Sequence, residues 1–70
     1  MDELYRNIRK RRKELGMTQK ELAAKCGYTD HTTINKIENG TVDITFERLK
    51  KIAAALDTTI VALIMGDDLR

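Results

Sequence analysis

Seventy residues, 41% hydrophobic but only 4% aromatic, point to one small domain with an aliphatic core, near the lower size at which a core stabilises a fold unaided. A net charge of +2 is a weak pull toward polyanions, and one cysteine with one histidine offers no disulfide, zinc set or nucleophile–base pair. Nothing resembles a signal peptide or membrane span, so a reducing, cytoplasmic setting is expected.

The first helix is expected from Asp2 or Glu3 to Leu15, with Gly16 in the left-handed conformation just past its end. Leu4, Ile8 and Leu15 define its buried face, and Arg6, Arg9, Lys10 and Lys13 form a solvated face opposite. With Arg11 and Arg12 they place six cations in eight residues. A local strip of that kind can meet phosphates even when the whole molecule is barely cationic. Arg12 sits at the margin of the apolar stripe.

The second helix opens on a capping box, Thr18-x-x-Glu21, in which hydroxyl and carboxylate each satisfy an orphan N–H. Leu22, Ala23 and Cys26 face inward and Gly27 ends it. Cys26 reads as a small core residue, since nothing nearby would make it a reactive thiolate. Lys20 and Lys25 are solvated, and Tyr28 packs over the turn. The third helix is expected to start near Asp30, a good N-cap, and to end at Asn39-Gly40. Its only large apolar residues, Ile34 and Ile37, form one narrow stripe. At roughly 100° per residue the opposite face carries Thr32, Asn35, Lys36 and Asn39, with His31 at the exposed end.

That face holds donors and acceptors and no acid, which is the chemistry needed to read base edges. The candidate readout residues are His31, Thr32, Thr33, Asn35 and Lys36. Lys36 has the donors for guanine O6 and N7. Thr32 can bond a base edge or lay its methyl on a thymine methyl, and His31 can donate to a purine N7 or a phosphate.

After Gly40, Thr41-Val42-Asp43-Ile44 forms a loop whose N–H groups, Thr41 first, are candidates for phosphate contact. Asp43 has no identifiable partner. Thr45 caps the fourth helix, with Glu47 in its first turn. Phe46, Leu49, Ile52, Ala53 and Leu56 are its inward stripe, and Lys50 and Lys51 are solubilising. The last helix runs from Ile60 after cap Thr59 and reads IVALIM, apolar on every side. Ile60 and Leu63 turn inward, with Ile64 open to either side, so Val61, Met65 or Ile64 still remain outside. A small monomer rarely leaves such a patch wet. A twofold homodimer through Val61, Ile64 and Met65 is therefore expected; the rival is a further C-terminal segment covering the patch. Gly66 closes the helix, and Asp67-Asp68-Leu69-Arg70 is expected to fray. All four glycines fall at helix ends, so residues 1–66 are expected to form a single all-α domain of five helices.

The segments LYRNIRKRRKELGMTQKELAAKCGY, INKIENG and FERLKKIAAALDTT together resemble the helix-turn-helix domain of the lambda-repressor and Cro type, an XRE-like regulator, over residues 4–65. The resemblance implies a compact five-helix fold, with the second and third helices as the helix-turn-helix and the third in the major groove of double-stranded DNA. It implies that Gln19 meets a phosphate and braces the first readout residue, where the helix N-terminus also attracts an anion. Asn39 serves the sugar-phosphate backbone, and Arg12 pairs with Glu38, tying the first helix to the recognition helix. Gly27 to Ile34 is one residue longer than the family's usual spacing. The extra residue lies within Tyr28-Thr29-Asp30 and shifts the start of the recognition helix, which bears on His31 more than on Lys36. A dimer would hold two such helices about 34 Å apart.

Three classes of function compete. Sequence-specific DNA binding, with repression by promoter occupancy, is favoured by Thr32, Asn35 and Lys36. An antitoxin or protein-interaction module on the same fold would be favoured by acidity on that face. An enzyme has no clustered groups to support it, and no catalytic residue, metal, cofactor or small-molecule ligand is implied.

Overall fold

The computed structural model describes residues 2–42 and 44–66. The expectations for Asp43 and for the tail 67–70 lie outside them. Five helices follow in order: α1 (Asp2–Glu14), α2 (Gln19–Lys25), α3 (Thr32–Glu38), α4 (Phe46–Ala55) and α5 (Ile60–Met65). No strand occurs among the described residues. The helix α1 lies against α3 and α5, α2 against α3 and α4, and α4 against α5.

Helices of seven residues, such as α2 and α3, are too short to persist alone in water, so packing must hold them. The core supplies that packing. Ile8, Leu22, Ile34, Ile37, Ile52 and Leu56 are wholly buried, and each such side chain contributes roughly 1.5–3 kcal/mol by leaving water. Leu4, Ala23, Cys26, Leu49, Ala53 and Leu63 complete the cluster.

The helix ends share one device. After α1, α2 and α3, glycines at 16, 27 and 40 take positive φ, and the two N–H groups beyond each helix fold back onto its last free carbonyls. This is the Schellman arrangement. At Gly40 space matters as well, because a Cβ there would stand 3.1 Å from Tyr5 Cδ2 on α1. The helix α4 ends the same way, with Asp57 N–H on Ala54 O and Thr58 N–H on Ala53 O. There the left-handed residue is Asp57, at φ +53.

Three sequence expectations are corrected. The helix α1 stops at Glu14 and Leu15 is exposed, because the turn at Gly16 carries that side chain off the apolar stripe. Phe46 is 65% exposed. It stands at the first position of α4, on the edge of the stripe, and its Cβ leans back past the core. Its ring instead lies under Lys50, whose ammonium is 5.6 Å from the centroid. The helix α3 begins at Thr32, after N-cap His31, and not beside Asp30. Asp30 still does part of a cap's work, since its Oδ1 accepts the Thr32 N–H at 2.9 Å.

Polar side chains of α1 cap its neighbours. Asn7 Nδ2 donates to Leu63 O at 2.7 Å, and Arg11 Nε donates to Leu56 O at 3.0 Å. Two of the six clustered cations, Arg11 and Arg12, are thus turned inward, leaving Arg6, Arg9, Lys10 and Lys13 exposed.

Asp57 combines an unfavourable backbone conformation with a carboxylate at a helix C-terminus. Asp57→Gly is expected to stabilise the fold by about 1 kcal/mol and raise the thermal midpoint by a few degrees in circular dichroism. No rise would contradict this reading of the α4 end.

Candidate nucleic-acid interface

The pair α2 and α3 is built from local rules. Thr18 Oγ1 accepts the Glu21 N–H at 3.0 Å, and Glu21 Oε1 accepts the Thr18 N–H at 2.9 Å. That backbone bond, then the Thr18 hydroxyl, holds the Glu21 carboxyl below its ordinary value. The Thr32 backbone N–H does the same for Asp30. Residues 28–31 form the turn, long enough to absorb the extra residue before α3 starts. Ile34 and Ile37 seat α3 on the core.

The opposite face of α3 is wet. His31, Thr32, Asn35, Lys36 and Asn39 are exposed, while Thr33 is half-buried. His31 makes no side-chain cap bond. Thr41 is exposed, but both of its donors point at Lys36 O, the N–H at 3.0 Å and the hydroxyl at 3.1 Å. A phosphate would have to draw the hydroxyl away.

Behind this face lies a buried ion pair. Arg12 Nε donates to Glu38 Oε2 at 2.7 Å and Arg12 Nη2 to Glu38 Oε1 at 3.1 Å. The side chains are 9% and 2% exposed. Arg12 Nη1 also donates to Met17 O at 2.7 Å. One guanidinium therefore holds α3, through Glu38, and the loop after its own helix in a bidentate geometry.

The same carboxylate reaches outward through amides. Gln19 Nε2 donates to Glu38 Oε1 at 3.1 Å, Asn35 Nδ2 to Gln19 Oε1 at 3.4 Å, and Asn39 Nδ2 to Asn35 Oδ1 at 3.1 Å. Gln19 thus braces Asn35, inside α3, and not a residue at its start. Sequence reasoning missed this run. The i, i+4 spacing of Asn35 and Asn39 was a signal for its outer link; nothing local announces the links through Gln19.

Elsewhere the chemistry is quiet. No group of His, Cys, Asp and Glu able to hold a metal ion occurs among the described residues. Burial pushes the Cys26 thiol up, away from thiolate reactivity. Burial likewise raises Tyr28, whose hydroxyl is enclosed without a hydrogen-bond partner. None of the described helices is long and apolar enough to cross a membrane.

Comparison with known proteins bears on this geometry. The profile of the family described as helix-turn-helix matches residues 8–63. No curated protein matches the chain.

Two measurements test the interface's scaffold. Glu38→Ala strands the Arg12 charge and is expected to cost about 3–5 kcal/mol in urea unfolding, whereas Arg12→Met combined with Glu38→Leu loses far less than the sum of the single changes. Additive losses would show that the two residues do not act as a pair. On acidification, Glu21 and Asp30 titrate lower in the fold than in the unfolded chain, so their contribution is whole at neutral pH and is lost as pH falls through the native values. Glu21→Gln keeps the capping bonds without the titration, and its thermal midpoint is expected to fall less steeply below about pH 4.

Proposed function

The chain belongs to the helix-turn-helix family of DNA-binding transcription regulators, and on that premise we propose that it is a cytoplasmic repressor. It binds a palindromic operator as a homodimer, with α3 in the major groove. The observation that carries this reading is the outer face of α3. It is exposed and bears His31, Thr32, Asn35 and Lys36, while the one acid of α3, Glu38, is buried and paired with Arg12. A helix so arranged offers a groove donors and a positive charge without a repelling carboxylate.

Roles follow from position. Lys36, midway along the exposed face, donates to guanine O6 and N7, and Thr32 and His31 meet bases nearer the N-terminal end. Thr33, half-buried, has the least reach. Gln19 and Asn39, at the two margins of the face, serve phosphates with amide hydrogens not already used. Thr41 joins them by exchanging its bond to Lys36 O.

The dimer reading rests on α5. Val61, Ile64 and Met65 are 56%, 47% and 50% exposed, an apolar patch on a helix whose other side, through Leu63, is in the core. A second copy covers it and sets the two copies of α3 about one DNA turn apart.

Lys36→Ala is expected to change base preference in selection from a random duplex library and to cost ~1–3 kcal/mol on the preferred site. Even weakening across all sequences, with a salt slope flattened by roughly 0.9 per half-site, would reassign Lys36 to a phosphate. Ile64→Asp is expected to convert a dimer to a monomer in light scattering and to weaken operator binding. A wild-type monomer at high concentration would refute the dimer.

A further inference from the structure

Asn35 is exposed in the middle of the proposed reading face, yet its amide is engaged by protein partners at both its nitrogen and its oxygen. The constraint begins at Glu38. A carboxylate has only acceptors, and Arg12 fills one edge of this one with two N–H groups, so Gln19 must present its NH2 to Oε1. That leaves the Gln19 carbonyl oxygen facing Asn35, which must answer with its own NH2. The Asn35 oxygen then faces the Asn39 NH2. Each amide has one orientation that satisfies its neighbours, and a charge buried at the far end sets the sense of all three.

We propose that this run makes Asn35 an adenine-reading residue, with Gln19 and Glu38 as its positioning residues. After the internal bonds, Asn35 keeps one N–H and one oxygen lone pair. Adenine alone presents an acceptor beside a donor in the major groove, N7 and the N6 amino group. Guanine presents two acceptors, cytosine a donor, and thymine an acceptor and a methyl. A locked amide also settles which of its sides donates, so it distinguishes A·T from T·A without the cost of ordering a loose side chain.

The inference rests on the DNA-binding reading above, and one experiment separates the two. Wild type, Asn35→Ala and Gln19→Met, each first shown to be folded by circular dichroism, are put through selection on a randomised duplex library. Asn35→Ala is expected to abolish an adenine preference at one position per half-site, a loss on the order of tenfold, with other positions unchanged. Gln19→Met, which keeps the packing but not the amide, is expected to relax that same position and, through its lost phosphate contact, to weaken binding evenly elsewhere. An unchanged profile for Asn35→Ala, or loss of a base other than adenine, overturns the assignment of Asn35. Even weakening by Gln19→Met with the adenine preference retained overturns the positioning role and leaves Gln19 a phosphate contact only. If wild type shows no preference at any position, the DNA-reading function itself fails.

Discussion

The contact between Arg12 and Glu38 is the constraint on which the other features depend. It joins α1 to α3, and it does so with both charges almost out of water. Such a pair adds little net stability over well-packed apolar residues, because desolvation offsets most of the attraction. What it supplies is orientation. A bidentate guanidinium–carboxylate contact tolerates little rotation or slippage, so α3 is held in roll and in register against α1.

Around that contact the core supplies cohesion without much specificity. Its largest side chains are isoleucine and leucine, and the only phenylalanine stands outside with Lys50. Aliphatic cores accept many rearrangements of similar volume. Ile34 and Ile37 can tell α3 which side faces inward, but two side chains cannot fix how far it is rotated. The polar seam does that: Arg12 on Glu38 and Met17, Asn7 on Leu63, and Arg11 on Leu56. Apart from the bond to Met17, which holds the loop after α1 itself, a side chain of α1 in each case takes hold of a neighbouring helix, which makes the longest helix the frame for the shorter ones.

The seam also reaches the surface. Glu38 passes its orientation to Gln19, Asn35 and Asn39 through bonds that each leave part of an amide unspent. A reading surface made of lysine and threonine alone would order its side chains only on binding. Here one amide is set in advance by a charge in the interior, so the scaffold and the proposed reading face are parts of one polar network.

Much of this was legible in the sequence because its causes are local. The capping box at Thr18 and Glu21, the glycines after α1, α2 and α3, and the inward positions of Ile34, Ile37, Leu49 and Ile52 are each decided within a few residues, by φ preferences and helical period. Where local rules competed, the sequence was ambiguous. Leu15 and Phe46 fit an apolar stripe but lie at helix ends, where the chain turns away from the core. Asp30 has an N-cap's chemistry, but the longer turn delays α3 to Thr32. The Arg12–Glu38 pair, 26 positions apart, was expected from the family resemblance and from no local rule, while the link from Gln19 to Asn35, 16 positions apart, lay beyond the sequence's reach. Hydrogen-bond polarity is a property of groups in contact. By itself the sequence determined where helices form and which face of each is buried; only the packing of α1, α2 and α3 decided which amide meets which carboxylate, because that takes three elements at one point in space.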